Sequence, residues 1–292
     1  MEFKKVKLED KTILDSYYKE NSFRNCELTF ANTFLWSQFY LVEYTIIDQC
    51  LVYKTVSERP QFIYPIGAGD KRTVIVKLMD YCKEINVPFS LRLVNQEMYQ
   101  ELEDMFPDTF QIEYDRDAAD YLYLSEKLMT LSGKKYHGKK NHINKFRSLY
   151  EWSYERINDT NKHECIQMAE EWNALHQQED EGRSSELKIT LDAIKYFDEL
   201  ELSGGLIRVD QKVVAFSIGE QVGKDTFVIH IEKAFADIQG AYPVINQQMV
   251  IDFGKDYTYI NREEDMGVEG LRKAKLSYKP IMILEKGIVT MK

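Results

Sequence analysis

The chain has 292 residues, 44% of them hydrophobic and 29% charged, which supports a sizeable core in one large or two modest domains and excludes a globally disordered chain. The formal net charge of −10 makes the average surface repel nucleic acid and anionic lipid, so an anionic partner has to meet a local basic patch. Cys26, Cys50, Cys82 and Cys165 form no Cys-x-x-Cys pair and match no zinc module, which predicts reduced, buried thiols in a cytoplasmic protein and no metal centre.

The first residues, Met1-Glu2-Phe3-Lys4-Lys5, lack the apolar core of a signal peptide. Residues 10–20 read as a short helix with Asp10 as N-cap. The apolar stretch 34–42 is too short to span a bilayer, so no transmembrane segment is expected. Runs rich in β-formers at 41–47 and 50–56 flank Asp48-Gln49 and read as a hairpin; 61–66 reads as a third strand closed by Pro65 and Gly67. Asp70 caps a helix to about Asn86, with Val74, Leu78, Tyr81, Cys82 and Ile85 on one face. Pro88 breaks it, 89–94 returns as a strand, and a helix at 95–106 stops at Pro107.

Helices are expected at 134–150, 160–178 and 187–201, the second capped by Asp159 or Thr160. The earlier order then repeats. Strands at 205–209 and 213–219 flank Asp210-Gln211, followed by a strand at 224–231, a helix at 241–254 and a strand at 257–261. Both halves read hairpin, strand, helix, strand, with Asp-Gln at each hairpin tip, and an internal duplication accounts for this economically.

One segment concentrates positive charge: Lys134, Lys135, His137, Lys139, Lys140, His142, Lys145 and Arg147. On a helix Lys135, Lys139 and His142 share one face, while Tyr136, Lys140 and Ile143 share another. Charge interleaved with Tyr136 and His142 suits a phosphate-bearing donor such as tRNA, CoA or a lipid head; a solvated amphipathic helix fits the same pattern. His137 and His142 are five apart, the wrong spacing for one helical zinc face, and neither a Gly-x-Ser-x-Gly elbow nor a full P-loop occurs. Trp36 and Trp172 read as core.

Four stretches carry a resemblance: Glu126-Lys127-Leu128 with 131–146, Val228-Ile229-His230-Ile231-Glu232-Lys233-Ala234, Gly240-Ala241-Tyr242-Pro243-Val244-Ile245-Asn246, and Asn261-Arg262-Glu263-Glu264-Asp265-Met266-Gly267 running on to Tyr278-Lys279-Pro280. Together they resemble the phosphatidylglycerol lysyltransferase C-terminal family, in its short soluble bacterial members. The resemblance implies an α/β fold of two tandem GNAT-like (N-acetyltransferase-like) domains, here 1–125 and 126–292, the second carrying the active site. That fold is shared with the Fem-type peptidoglycan aminoacyltransferases. Relatives of known activity move an aminoacyl group from aminoacyl-tRNA onto a lipid or a cell-wall amine. The membrane-bound lysyltransferases carry a transmembrane flippase region ahead of this domain, and these residues contain none. The CoA-binding turn of simple acetyltransferases is only partly matched, at 236–242, with one glycine where the loop wants two.

In the implied fold two adjacent parallel strands splay, and acyl donor and acceptor meet in the gap. Here the strands are 224–231 and 257–261, whose ends carry His230, Glu232, Asn261, Arg262, Glu263 and Asp265. Glu232 is assigned as base or amine-binding carboxylate, with a salt bridge to Lys233 or Arg262 as the structural alternative. His230, two residues away, shares its strand face and is the second catalytic candidate. Asp265 is the third; with Glu263 and Glu264 it holds an aminoacyl ammonium or caps a loop. Arg272 and Lys275 are assigned to a donor phosphate or to surface salt bridges. Lys135, Tyr136, Lys139, Lys140, His142, Asn246, Asn261, Arg262 and Glu263 complete the binding set.

The resulting expectation is an acyl- or aminoacyltransferase working by direct attack. Aminoacyl-tRNA or acyl-CoA serves as co-substrate, and the acceptor is an amine or hydroxyl of a lipid, peptide or small molecule. Two alternatives stay open: a non-catalytic tRNA- or metabolite-binding protein, and a simple CoA-dependent N-acetyltransferase.

Overall fold

The computed structural model describes residues 1–19, 21–176 and 183–292. Its strands are β1 (Lys4–Lys5), β2 (Val42–Ile47), β3 (Cys50–Thr55), β4 (Phe62–Ile63), β5 (Ile66–Gly67), β6 (Ser90–Asn95), β7 (Phe110–Leu124), β8 (Trp152–Arg156), β9 (Ser203–Val209), β10 (Lys212–Val222), β11 (Thr226–Ala234), β12 (Tyr259–Asn261) and β13 (Met282–Met291). The helices are α1 (Lys11–Lys19), α2 (Phe30–Tyr40), α3 (Lys71–Glu84), α4 (Gln96–Met105), α5 (Ser125–Thr130), α6 (His137–Leu149), α7 (Lys162–His176), α8 (Arg183–Lys195), α9 (Ala241–Met249) and α10 (Glu269–Leu276).

The two hairpins β2–β3 and β9–β10 form at the expected tips. Asp48 and Gln49 have φ of 47° and 62°, and Asp210 and Gln211 have 50° and 70°. Positive φ at both central residues is the turn whose twist matches that of antiparallel strands, so the paired Asp-Gln dipeptides do the same local job in each half. Each hairpin leads into a strand, a helix and a parallel strand. β4 and α3 lead to β6, with Phe62 opposite Leu91 and Ile63 opposite Arg92. β11 and α9 lead to β12, with Thr226, Phe227 and Val228 opposite Tyr259, Ile260 and Asn261.

The halves then exchange their last strands. β13, from the end of the chain, pairs with β6 and β7, while β7 pairs with β12. One sheet of order β1-β2-β3-β4-β6-β13-β7-β12-β11-β10-β9-β8 results, with β5 added on β3. A tandem GNAT-type architecture is thus built around a single mixed sheet.

Several local readings need correction. β7, β8 and β13 lie outside the expected elements, although 110–115 and 152–155 alternate apolar and polar residues. In β7 the pairing with β13 jumps from Asp115 to Asp120, which breaks the period of two. Residues 34–42 lie mostly in α2, whose N-cap Thr29 accepts a hydrogen bond from the Asn32 amide. Pro65 splits the expected strand 61–66 into β4 and β5. The α9 segment ends at Met249 and continues as a π-helical turn, Val250–Gly254. α8 starts and ends earlier than expected. Asn158 and Asn161, rather than Asp159 or Thr160, organise the start of α7: Asn158 N donates to Asn161 Oδ1 at 2.8 Å and Lys162 N to the Asn158 carbonyl at 2.9 Å. The expected ends at 20 and 178 lie outside the described residues.

All four cysteines are unpaired and buried. Among the described residues no helix is long and apolar enough to cross a membrane. The segment 21–29 straps the halves together. Arg24 forms a two-pronged ion pair with Asp225 at 3.0 and 2.7 Å, and Asn25 donates to the Leu93 carbonyl. Beneath the strap, Lys286 of β13 donates to Asp120 of β7 at 2.7 Å and to Glu27 at 2.6 Å. Lys286 and Asp120 have fully buried side chains, so this pairing is needed to keep charge inside the protein at all.

Candidate active site

The parallel strands part after the Val228–Asn261 pair. β11 continues alongside β10, with Glu232 opposite Ser217, while the chain after Asn261 turns away through Glu263 at φ 55°. Side chains from β11, α6, α9 and the segment around Arg262 and Tyr278 converge on the opening.

At its centre Arg262 Nη2 donates to Glu232 Oε1 at 2.7 Å, and Asn246 Nδ2 from α9 donates to Glu232 Oε2 at 2.8 Å. Of the two partners expected for Glu232, Arg262 is therefore the one found. The guanidinium carbon of Arg262 lies 4.7 Å from the Tyr278 ring centre and 5.7 Å from that of Tyr123. Its Nη1 is buried and has no hydrogen-bond partner among the described residues. Burial works against the charge on Arg262, but Glu232 and the two tyrosines hold its pKa above the ordinary arginine value. Lys139, from the basic helix α6, sets its Nζ 3.9 Å from the centre of the Tyr278 ring. Burial, seconded by the Arg262 charge and opposed by Glu232, pushes the Lys139 ammonium down to about 8.

His230 sits beside this group rather than in it. Its Nδ1 is 2.7 Å from Glu263 Oε1 and its Nε2 is 3.0 Å from Glu220 Oε1. Burial disfavours the charged ring, yet the two carboxylates outweigh it and push the imidazolium up to about 10. With both nitrogens engaged, the ring acts as a cationic clamp between β10, β11 and the loop after β12.

The remaining candidates build that loop. Asp265, with no exposed side-chain surface, accepts from Arg272 Nε and Nη2, each at 2.8 Å, from Tyr121 Oη and from the Gly267 amide at 3.0 Å. The Arg272 guanidinium above all holds the Asp265 carboxyl well below the usual carboxylate range. Arg272 also donates to Asp117 at 2.6 Å, so its prongs are spent on carboxylates of this chain. Lys275 is buried and donates to the Arg262, Glu263 and Glu264 carbonyls at 2.5, 3.2 and 2.5 Å, and burial lowers its pKa. Asn261 donates to the Arg24 carbonyl and to Asp120, and accepts from the Glu263 amide. Together these residues fix the loop that carries Arg262.

Of the basic run, Lys140 and His142 are exposed on α6, Lys135 is exposed in the short 3-10 turn before it and Tyr136 is buried, leaving Lys139 as the member that reaches the opening. Sequence reasoning gave no role to Tyr123, Glu220 or Tyr278. Tyr278 stood within a motif; the other two carry no local signal. It also missed the thiol and carboxylates of Cys26, Glu27 and Asp120, whose ligand atoms lie within 4.8 Å of one another. The Lys286 ammonium already occupies the middle of that group.

The turn before α9 differs from a phosphate seat. Gly240 has φ 91°, and a Cβ there would lie 2.6 Å from the His142 carbonyl oxygen and 2.9 Å from Phe146 Cβ. Its lack of a side chain lets α6 pack across the α9 N-terminus. Two backbone donors of the turn are already used, Gln239 N on Tyr150 Oη at 3.2 Å and Ala241 N on the Ile238 carbonyl at 3.1 Å.

A family model described as phosphatidylglycerol lysyltransferase, C-terminal, matches residues 19–288. The chain belongs to that family. A crystal structure of a conserved protein of unknown function from Bacteroides thetaiotaomicron is 38% identical with a TM-score of 0.94, covering 99% of both chains. The structure of L-PGS from Bacillus licheniformis superposes with a TM-score of 0.70 at 14% identity over 98% of this chain and 92% of that one. FemX superposes with 0.57 at 8% identity over 99% and 96%. An uncharacterized protein of Mycoplasmoides gallisepticum is 28% identical over 182 residues, 59% of this chain and 56% of that protein, so the match spans little more than half of this curated relative. Family membership and fold support an acyl- or aminoacyltransferase-like function.

Proposed function

We propose that the protein transfers an aminoacyl group from aminoacyl-tRNA to an amine or hydroxyl acceptor, in the opening between β11 and β12. The observation that carries this reading is the convergence of Glu232, Asn246, Arg262 and Lys139 where the parallel strands part. Attack on an acyl ester generates an oxyanion, and a preorganised donor aimed at it is the largest single source of catalysis in such reactions. Arg262 supplies one: Nη2 is fixed by Glu232, leaving the buried Nη1 for the developing oxyanion. Glu232 and Asn246 position the guanidinium, and Tyr278 and Tyr123 flank it.

The His230 clamp, the Asp265–Arg272 pair and Lys275 position the loop rather than touch substrate. Exposed side chains of α6 and the turn before it, Lys135, Lys140 and His142 among them, meet the phosphates of the donor at the rim. Donor binding should then weaken steeply with salt, as counterion release requires. The crowded α9 N-terminus and its spent backbone donors favour aminoacyl-tRNA over acyl-CoA, whose pyrophosphate needs such donors free.

The test incubates the protein with bulk tRNA charged with labelled amino acids, or with labelled acetyl-CoA. Phosphatidylglycerol vesicles or a mixture of small peptides and amines serve as acceptors. Label moving from tRNA to either acceptor fraction is the expected result. Transfer from acetyl-CoA alone would establish the simple N-acetyltransferase instead, and salt-labile tRNA binding that ignores the aminoacyl group, without transfer, would establish a binding protein.

A further inference from the structure

An attacking amine or hydroxyl has to lose a proton, and the geometry reassigns the group that takes it. Glu232 is poorly placed for the task, because both of its oxygens are already accepting hydrogen bonds from Arg262 and Asn246. His230 has both nitrogens engaged by carboxylates. Asp265 is sealed behind Arg272 and Tyr121. Lys275 is held by three backbone carbonyls.

Lys139 differs from all of these. Its Nζ forms no hydrogen bond or ion pair with any described residue and rests on the face of Tyr278. That ring also carries the Arg262 guanidinium at 4.7 Å, so the free amine and the oxyanion donor share one aromatic platform. We propose that Lys139 is the proton acceptor of the transfer reaction, a role that rests on the transferase reading above.

The step balances without any further reactant. As the lone pair of the neutral acceptor nucleophile forms its bond to the acyl carbon, the N–H or O–H proton passes to the Lys139 amine. When the acyl–oxygen bond breaks, the resulting ammonium returns that proton to the leaving ribose oxygen. The charged and titratable groups around the amine are Arg262 and Glu232 across the opening, Tyr278 beneath it, Tyr123 behind Arg262, Lys140 on its own helix and Lys135 in the turn before it. Burial and the Arg262 charge favour the neutral amine over the attraction of Glu232, bringing the midpoint down to about 8. A lysine lowered in this way has its unprotonated form available near neutrality, where an ordinary lysine is almost wholly protonated.

Two measurements on the whole protein test the proposal. In the first, the folded protein is pulsed with sulfosuccinimidyl acetate from pH 6 to 10.5, and acetylation of Lys139 is followed by peptide mass spectrometry against Nα-acetyllysine in the same tube. Half-maximal reactivity of Lys139 about two pH units below the reference is expected; a coincident curve overturns the proposal. In the second, the tRNA transfer assay is run across pH for wild type, K139R and K139M. Wild-type kcat should rise with pH through a midpoint near 8. K139R keeps the charge but cannot give up its proton, so it should lose about 10²- to 10⁴-fold in kcat together with that rise, with tRNA binding retained. An unchanged rate and profile in K139R overturns the assignment of Lys139 alone. Absence of transfer by wild type overturns the transferase reading and this role with it.

Discussion

Replacing Lys286 by Met tests whether the exchanged strands hold the two halves in register. Lys286 comes from the last strand, Asp120 from the middle of the chain and Glu27 from the strap, and the ammonium joins them at 2.7 and 2.6 Å. Removing one partner of a buried ion pair costs about 3–5 kcal/mol, because the other charge stays behind unpaired. The lower end is expected here. Asp120 keeps hydrogen bonds from the Cys26 amide and from Asn261 Nδ2, each at 2.9 Å, and Glu27 is 21% exposed and can take up water. K286M should therefore lose about 3 kcal/mol in urea unfolding followed by circular dichroism. Substituting both partners by apolar or neutral groups of like shape removes the orphaned charge, so K286M/D120N should recover 1 kcal/mol or more relative to the sum of the single changes, by the order of coupling seen between touching residues. A K286M protein within ~0.5 kcal/mol of wild type, or strictly additive single changes, would refute the idea that this pair locks the exchange.

Three further outcomes follow from the same geometry. Burial raises the Glu264 carboxyl to about 7, above its unfolded value, so its contribution to stability is present at pH 4–5 and lost as pH climbs through 7; unfolding free energy should fall between pH 5 and 8, and E264Q should flatten that slope. R262K keeps a charge but not the planar fork that lets one nitrogen bind Glu232 while the other faces the opening, and should lower kcat by about 10²- to 10³-fold with tRNA binding little changed in gel-shift titrations. G240A forces a Cβ to within 2.6 Å of the His142 carbonyl at a left-handed φ, and should cost about 1–3 kcal/mol in thermal or urea melts, whereas G270A, where a Cβ meets open space, should not.

The repeated order of elements could be read from the sequence because it rests on local signals. Two Asp-Gln tips, a capped helix after Asp70 and a repeated order of elements need no knowledge of distant partners. The parallel pair at the site came instead from the family resemblance, and the Glu232–Arg262 bridge stood among the alternatives. The strand exchange was not legible. β13 places Lys286 in the interior of the sheet, where a hydropathy pattern reads a charge as outward-facing, and only the carboxylates of Asp120 and Glu27, 166 and 259 residues away, make that burial tolerable. Arg272 and Lys275 were legible only as alternatives. Two cations three residues apart on a helix read as a phosphate grip or as surface salt bridges, and the sequence does not reveal that Asp265 and three carbonyls engage them. Glycine 240 likewise fits a phosphate turn and a helix crossing equally well until α6 is placed against it.

The two halves use a similar order of elements differently. In the N-terminal half β4 and β6 part after the Ile63–Arg92 pair, as β11 and β12 part after Val228–Asn261. There, however, the residue that follows β4 is Tyr64, which is buried and donates to Glu101 at 2.6 Å. Lys71 reaches the same carboxylate at 2.6 Å and lies 5.0 and 5.2 Å from the Tyr64 and Phe23 rings. Tyr64 and Lys71 thus both spend their polar atoms on Glu101, and aromatic rings flank the ammonium. In the C-terminal half the corresponding region keeps, among the described residues, a buried guanidinium nitrogen without a hydrogen-bond partner and a lysine without an ion pair. Leaving a buried donor open is costly, and the C-terminal opening carries one where its N-terminal counterpart has Tyr64 spent on Glu101, which favours the C-terminal half as the site proposed above.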